Sequence, residues 1–264
     1  MRWVLLLGLA ACGRISFEPL AADGGSAGDA DDAASDAPAG SIQYVQSASG
    51  LAGTGSMSVT AQLPSKPTPG NLIVVAGTGF QFQGLASLAD GSVVDSGSGP
   101  IPLVVHEVTP DNCASRGTSV ALYAVVATAQ SSGMITVTQL PITMDETTIF
   151  VAEYSGVTTL DDSTSFSTAS GPSPHAIRSG ATNAATGSEL AVAAGTDCSG
   201  DPDPQVYTDT AGFDVGYVED ILQMNVPGIF TRKIVTTPGP VEDTWTVEYT
   251  GPAADAFAVI ATFR

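Results

Sequence analysis

Positive charge is scarce in this chain. Only eight of the 264 residues are Lys or Arg, against 27 Asp and Glu, so the formal net charge is −19 at pH 7. Binding to DNA or RNA needs a basic patch that displaces counterions from phosphates. Beyond residue 40 the basic side chains are scattered, apart from the adjacent pair Arg232 and Lys233. The composition therefore argues against a nucleic-acid partner, and the acidity favours solubility and resistance to self-association.

Charge of either sign is sparse, and helical patterning is missing. Asp, Glu, Lys and Arg together make up 13% of the chain, whereas it contains 29 Gly and 17 Pro. No segment combines a helical apolar period with capping residues, which argues against long helices. Val- and Thr-rich runs separated by Gly, Pro and Asp are typical of strands and turns. We therefore predict an all-β fold, a two-sheet antiparallel sandwich of jelly-roll-like type with about 12 strands.

Twelve runs beyond residue 40 carry this strand pattern. The first and the last are both apolar, so we expect the two ends of the folded part to pair within one domain, residues 41–264. The predicted strands are Ile42–Ser47, Met57–Leu63, Asn71–Gly77, Pro102–Val108, Ser119–Ala127, Met134–Gln139, Thr147–Tyr154, Glu189–Gly195, Phe213–Val218, Ile229–Thr236, Thr244–Tyr249 and Ala256–Phe263.

The N-terminal apolar run is too short to cross a membrane. Residues 1–11 carry one positive charge, Arg2, and then an apolar stretch from Trp3 to Leu9, well below the ~20 residues that span a bilayer. A charged start, an apolar centre and small residues before a cleavage point are typical of a secretory signal peptide. The following sequence LAAC, which ends at Cys12, resembles the bacterial lipobox, in which the cysteine is acylated and becomes the mature N-terminus.

The lipobox resemblance implies a location and a tether. A multiply acylated Cys12 implies stable anchoring. Gly13 after the cysteine implies, by resemblance to Gram-negative lipoproteins, the outer membrane, on its periplasmic or its extracellular face. Residues 12–40 are predicted to be a disordered acidic linker, because residues 21–40 consist only of Ala, Asp, Gly, Ser and Pro and cannot compensate for the entropy of ordering. A flexible coil of about 28 residues reaches roughly 30 Å.

Five segments of the folded part resemble a β-sandwich module of bacterial exported proteins. They are SIQYVQ at residues 41–46, PGNLIVV at 69–75, EYSGV at 153–157, ELAVAA at 189–194 and AVIATFR at 258–264. The resemblance extends over nearly all of residues 41–264. It implies a sandwich fold and implies no particular activity or ligand.

Cysteine is rare, with three residues in the whole chain. Cys113 and Cys198 are the two that remain after lipidation of Cys12, and both lie in predicted loops next to strands. In an oxidising compartment two remaining cysteines indicate one disulfide. Such a bond would close a loop of roughly 85 residues and contribute about 4 kcal/mol in the chain-entropy treatment. The alternative is two separate thiols.

Residues that usually perform catalysis are few. His106 and His175 are the only histidines, and neither lies in a spacing typical of a Ser-His-Asp site. Glu153 in EYSGV is a candidate catalytic carboxylate, but a glutamate at a strand end before Ser-Gly more often fixes a turn through hydrogen bonds. Strand alternation places Phe150 and Tyr154 on the face opposite Glu153. A hydrolase with an unrecognised site therefore stays open as a lesser alternative.

One acidic segment has the composition of a calcium loop. Asp197, Asp201 and Asp203 lie close together around a glycine, and calcium takes six to eight oxygen ligands. A solvated acidic loop is the alternative interpretation. No motif for any other cofactor is present in the sequence.

Aromatic side chains, which carbohydrate-binding modules use as stacking platforms, make up only 6% of residues. Trp245 shares a strand face with apolar residues, so we expect it to pack in the core. Tyr207, Phe213 and Tyr217 lie in a loop-rich stretch and are the candidates for an exposed sugar-binding platform.

The sequence thus favours a lipid-anchored, surface-displayed protein with a non-catalytic binding or structural β-sandwich domain, whose ligand would be a glycan or a protein. A carbohydrate-binding module is the first alternative, and a hydrolase the second.

Overall fold

Nineteen antiparallel strands make up the regular structure of the described part of the chain, which contains no α-helix. The computed structural model describes residues 41–53, 55–81, 88, 92–109, 117–138, 146–171, 173–184, 187–197, 206–219, 228–248 and 254–264. Within these ranges no helix is long and apolar enough to cross a membrane. Residues 38–264 form one compact unit.

The strands divide into a first half, residues 41–157, and a second half, residues 158–264. The first half contains β1 Gln43–Ala52, β2 Ser58–Gln62, β3 Leu72–Gln81, β4 Ser92–Asp95, β5 Gly99–Pro100, β6 Leu103–Thr109, β7 Gly117–Val126, β8 Met134–Thr138 and β9 Glu146–Ser155. The second contains β10 Leu160–Gly171, β11 His175–Arg178, β12 Thr182–Ala184, β13 Glu189–Asp197, β14 Val206–Asp209, β15 Asp214–Glu219, β16 Gly228–Val235, β17 Gly239–Val241, β18 Thr244–Glu248 and β19 Ala254–Phe263.

Each half has one central sheet of five strands. The strand order is β1-β9-β3-β7-β6 in the first half and β10-β19-β13-β16-β15 in the second. Each central sheet is covered on its outer face by a smaller sheet, β2-β8-β4-β5 in the first half and β11-β18-β14 in the second, where the pair β12-β17 adds to the cover.

The two halves have the same topology, so the folded part is an internal structural repeat. In strand order within their sheets, β1, β9, β3, β7 and β6 correspond to β10, β19, β13, β16 and β15, and the cover strands β2, β8 and β4 correspond to β11, β18 and β14. The strand registers agree as well. Leu72 pairs with Tyr154 in the first half, and Leu190 pairs with Phe263 in the second.

Irregularities in the sheets recur at corresponding places, which supports the repeat independently. The pairing of β1 with β9 shifts register between Tyr44 and Gln46, and that of β10 with β19 shifts between Leu160 and Asp162. A second shift follows Leu103 in β6, and its counterpart follows the corresponding residue in β15. Bulges are local features that strand pairing alone does not require. Two shared bulges therefore indicate two copies of one folding unit.

Three apolar cores hold the layers together. The central core lies between the two central sheets and contains Val74, Leu122, Phe150, Phe230 and Val259 among others. β6 and β7 of the first half pack on β10, β13 and β19 of the second. The other two cores lie between each central sheet and its cover, so both faces of each central sheet are buried. Burying both faces explains why the central strands are nearly continuous apolar runs.

A seven-residue pattern, L-x-V-x-A-G-T, is common to the two halves. It runs from Leu72 in β3 and from Leu190 in β13. The glycine of the second copy, Gly195, lies under the indole of Trp245, and a Cβ atom there would come within 2.8 Å of the ring atom Cζ3. Glycine is therefore needed in the middle of this buried strand, because it makes room for the largest side chain of the cover sheet.

The expected all-β antiparallel sandwich is confirmed, and all 12 predicted strands are present within a few residues of their predicted bounds. The described residues hold 19 strands rather than about 12. The expected pairing of the first and last strands is wrong. β1 lies in the central sheet of the first half, and β19 lies in that of the second.

Candidate functional site

Glu153 is completely buried at the end of β9 and serves as a hydrogen-bond acceptor. Its Oε2 accepts from Nε2 of Gln46 at 2.5 Å, and its Oε1 accepts from the backbone N–H of Thr68 at 2.8 Å and from Nδ2 of Asn71 at 2.7 Å. The carboxylate thus connects β9, β1 and the loop before β3. These three partners are donors that fix the local chain path, which agrees with the structural role expected for this residue.

Corresponding aspartates end β4 and β14, and both organise turns. The buried Asp95 accepts from the backbone N–H groups of Gly97, Ser98, Ser132 and Gly133 at 2.8–3.1 Å. Burial opposes ionisation of this carboxyl, but the four donors outweigh it and hold its pKa below the usual value.

The counterpart of this network in the second half contains two carboxyl groups, those of Asp209 and Asp243. Asp209 accepts from the backbone of its own turn, while Asp243 is fully buried and accepts from Thr231 and Thr244. Burial raises the pKa of Asp243 to about 7, and the neighbouring Asp209 adds to the shift, although the hydrogen bonds from Thr231 and Thr244 oppose it. This pair sits under a cover sheet and is a structural feature rather than an open site.

The residues proposed for catalysis or calcium binding are spread over the fold. His106 is exposed on β6, and His175 is buried on β11 in the other half. Asp197 is fully buried at the end of β13, while Asp201 and Asp203 lie outside the described residues. Among the described residues no group of three or more His, Cys, Asp or Glu side chains could hold a metal ion.

The structure describes the side chains of two of the four aromatic residues considered above, and both are buried. Trp245 is fully buried, as expected. Phe213 is only 5% exposed and packs in the core beneath the cover sheet of the second half, so it cannot form part of an exposed sugar-binding platform. Tyr207 lies on β14 and Tyr217 on β15, but their side chains are outside the described part. Cys12, Cys113 and Cys198 also lie outside the described residues.

A cavity of about 110 Å³ opens where the edges of the two central sheets meet. We call it the Tyr–Arg cavity, and it is lined by Ile42, Tyr44, Tyr154, Leu190, Asp214, Arg232, Lys233 and Ile234. A second recess of about 270 Å³ lies along ten consecutive residues, 233–242, which run from β16 through β17. A third, of about 10 Å³, is an apolar packing gap in the central core.

Two tyrosines and one arginine form the polar part of the Tyr–Arg cavity. The guanidinium carbon of Arg232 lies 3.9 Å from the ring centroid of Tyr44, a cation–π contact. The rings of Tyr44 and Tyr154 meet edge to face at 6.2 Å. Tyr44 is 43% exposed and Tyr154 only 1%, so the cavity runs from a solvent-facing ring to a buried one.

The hydroxyl group of Tyr154 lies at the buried end of the cavity. The guanidinium of Arg232 lies beside it and acts on its pKa through charge and a side-chain hydrogen bond, but this contact falls short of complete hydrogen-bond geometry. Burial raises the pKa of this hydroxyl well above its usual value, and Arg232 counteracts that shift only in part. A buried hydroxyl without a well-placed partner costs free energy, so its presence needs a reason.

The two other charged residues of the cavity leave Arg232 available to a ligand. Asp214 pairs with Arg232 across the strands but is exposed, and the two side chains form no ion pair in the described part of the chain. Lys233 is committed elsewhere, because its Nζ donates to the carbonyl of Ala211 at 2.7 Å and lies 5.3 Å from the ring of Phe213.

The structural repeat supplies an internal comparison for this cavity. By strand register, Tyr44, Tyr154, Asp214 and Arg232 correspond to Leu160, Phe263, Pro102 and Ala124 of the other copy. Four polar or aromatic residues at one end of the central core thus stand where the other end has only uncharged apolar side chains. The polar set is therefore not a requirement of the fold.

Sequence reasoning missed this site. The sequence separation from Tyr44 to Arg232 is 188 positions, with Tyr154 between them, and each residue lies in a predicted strand whose pattern gives no sign of a shared site. The one available signal was the isolated basic pair Arg232–Lys233 in an acidic chain. Comparison of the chain with protein-family models, with curated proteins and with solved structures found no match.

Proposed function

We propose that this chain is an exported lipoprotein whose β-sandwich body is a non-catalytic binding module, tethered to the outer membrane through Cys12 and the acidic linker of residues 12–40. The lipobox-like LAAC sequence and the composition of the linker support the tether. The use of Glu153, the strongest catalytic candidate, as an acceptor for three structural donors supports a binding role over a hydrolytic one.

The Tyr–Arg cavity is the binding site in this proposal. The observation that carries it is the guanidinium of Arg232, which forms no ion pair with a described acid, beside the buried hydroxyl of Tyr154. The other copy of the repeat fills these positions with Ala124 and Phe263. Buried polar groups that converge on a cavity with apolar walls are typical of small-molecule sites.

Two measurements test the proposal. In a bacterial host fed an alkyne-tagged palmitate, the full chain is expected to take up the label, and Cys12→Ala is expected to lose it, whereas the control Cys113→Ala keeps it. Purified in detergent, the full chain is expected to gain thermal stability from at least one member of a panel of small carboxylates, amides and monosaccharides, and Arg232→Ala is expected to abolish the gain. Equal labelling of the Cys12 variant would refute the tether, and a panel without effect would refute the binding site.

A further inference from the structure

We propose that the Tyr–Arg cavity binds a small apolar monocarboxylate, with the carboxylate held by Arg232 and Tyr154 and the hydrocarbon part against the apolar wall. This inference rests on the proposed function, because it assumes that the cavity is the binding site. It adds the chemical class of the ligand.

The polar end of the cavity offers donors to an anion. A guanidinium presents N–H groups in a planar fork that fits the two oxygens of a carboxylate, and the Tyr154 hydroxyl supplies a further donor beside it. Asp214 is the one acid among the described residues that line the cavity, and it is exposed. An anion seated between Arg232 and Tyr154 would give the buried hydroxyl a well-placed partner, which its incomplete contact with Arg232 does not supply.

The remaining wall is apolar. Ile42 and Leu190 are buried, and Ile234 is 49% exposed near the mouth. At about 10–15 Å³ for each water-sized sphere, a volume of about 110 Å³ suits a ligand of roughly seven to ten non-hydrogen atoms. A carboxylate with a short branched or cyclic hydrocarbon part meets both conditions, and isovalerate is the smallest convenient example.

Charge distinguishes an apolar monocarboxylate from two other ligand classes, phosphate and neutral sugars. One guanidinium balances a single negative charge, and the chain carries a net charge of −19, which disfavours a phosphate dianion. A neutral sugar would take Arg232 out of water without an opposite charge, and that is costly. The cavity therefore selects a monoanion with an apolar body.

The test compares isovalerate with its neutral isostere isovaleramide by calorimetric titration of the full chain in detergent. We expect isovalerate to bind with a Kd of about 1 mM or tighter, as the ligand efficiency of small molecules allows. Isovaleramide has the same shape but lacks the charge, so it is expected to bind at least tenfold more weakly.

Three variants assign the contacts, and a fourth provides the matched control. Arg232→Ala is expected to abolish binding, and Arg232→Lys to weaken it about tenfold, because an ammonium lacks the planar fork. Tyr154→Phe removes one donor to a charged acceptor and is expected to weaken binding by about tenfold or more. Arg178→Ala removes the same charge from an exposed residue of β11 that does not line the cavity, and it is expected to leave the Kd within about twofold.

Different results would overturn the ligand class alone or the binding site as well. Equal binding of isovalerate and isovaleramide, both lost in Arg232→Ala, would overturn the carboxylate assignment and leave the cavity as the binding site. Tighter binding of inorganic phosphate or of glucose than of isovalerate would also overturn the ligand class. Binding that Arg178→Ala weakens as much as Arg232→Ala would show that general charge attraction is responsible and would overturn both.

Discussion

Replacing Tyr154 by Phe is expected to leave the folded chain as stable as before or to stabilise it. The ring stays in the central core, and the change removes only the hydroxyl that makes no complete hydrogen bond with the described residues. An unsatisfied buried hydroxyl costs about 1–3 kcal/mol, and the lost interaction with Arg232 offsets part of the gain. The net expectation is a change between zero and about 1 kcal/mol in favour of the folded state. Phe263 at the corresponding position shows that the fold accepts this side chain.

The matched control is Tyr123→Phe. Tyr123 is also buried in a central strand, but its hydroxyl donates to the carbonyl of Leu88 at 2.6 Å. Tyr123→Phe takes this donor away from the Leu88 carbonyl and is expected to lower the free energy of unfolding by about 1–2 kcal/mol. Urea unfolding of the full chain measures both variants, read as shifts in midpoint at constant slope. A loss of stability in Tyr154→Phe as large as that in Tyr123→Phe would refute the reasoning, because it would mean that the Tyr154 hydroxyl is already satisfied.

Three further changes probe the supporting structure. Glu153→Gln replaces one acceptor oxygen by an NH2 group, which would face N–H donors. It is expected to lower the free energy of unfolding, measured with urea, by about 2–3 kcal/mol. In the folded state Asp243 keeps its proton up to about pH 7, whereas in the unfolded chain it releases the proton near the ordinary aspartate pKa of 3.8. Between these two values the unfolded state binds fewer protons, so the stability of the folded chain falls as the pH rises. The free energy of unfolding of Asp243→Asn, relative to that of the unchanged chain, is therefore expected to be higher at pH 8 than at pH 4, by about 4 kcal/mol at most. Gly195→Ala forces a methyl group against Trp245 and is expected to cost about 1–3 kcal/mol in a thermal unfolding scan.

Each of these changes has a control. Glu248→Gln, at an exposed strand end, is expected to change stability by less than about 0.5 kcal/mol. Asp214→Asn, also exposed, is expected to leave the pH dependence as it is, and a wild-type slope in Asp243→Asn would contradict the assigned proton. Gly77→Ala meets the flexible end of Leu88 at 3.1 Å and is expected to cost less than Gly195→Ala.

The fold class was readable from the sequence because the buried strands of the central sheets are long apolar runs. The strand β10 was missed, since its residues 160–171 are mostly Asp, Ser and Thr. At the edge of a sheet such a strand is held by backbone pairing rather than by side chains. The repeat escaped notice because only the pattern L-x-V-x-A-G-T is clearly shared, while most corresponding positions preserve burial and not residue identity.

The site could not be read from the sequence for a different reason. Strand alternation placed Tyr154 on the face opposite Glu153 but did not show which face meets a ligand, and the structure buries both residues. What makes it exceptional is the neighbouring Arg232, which strand pairing brings from a distant segment, and the Phe at the corresponding position of the other copy. Neither relation can be recognised until the strand registers are known.

The seam between the two central sheets joins two copies of one folding unit within a single polypeptide, and its two ends differ. At one end β6 packs on β10 and β19, whereas at the other the corresponding strands β15 and β1 line the Tyr–Arg cavity. In a true homodimer each substitution appears twice, so a polar pocket at one rim would have to be repeated at the other, and the interface would lose apolar contact at both ends. Covalent fusion of the two units removes that constraint. Here one rim keeps the apolar residues Leu160, which is exposed, and Phe263, which is buried, and the opposite rim is free to specialise.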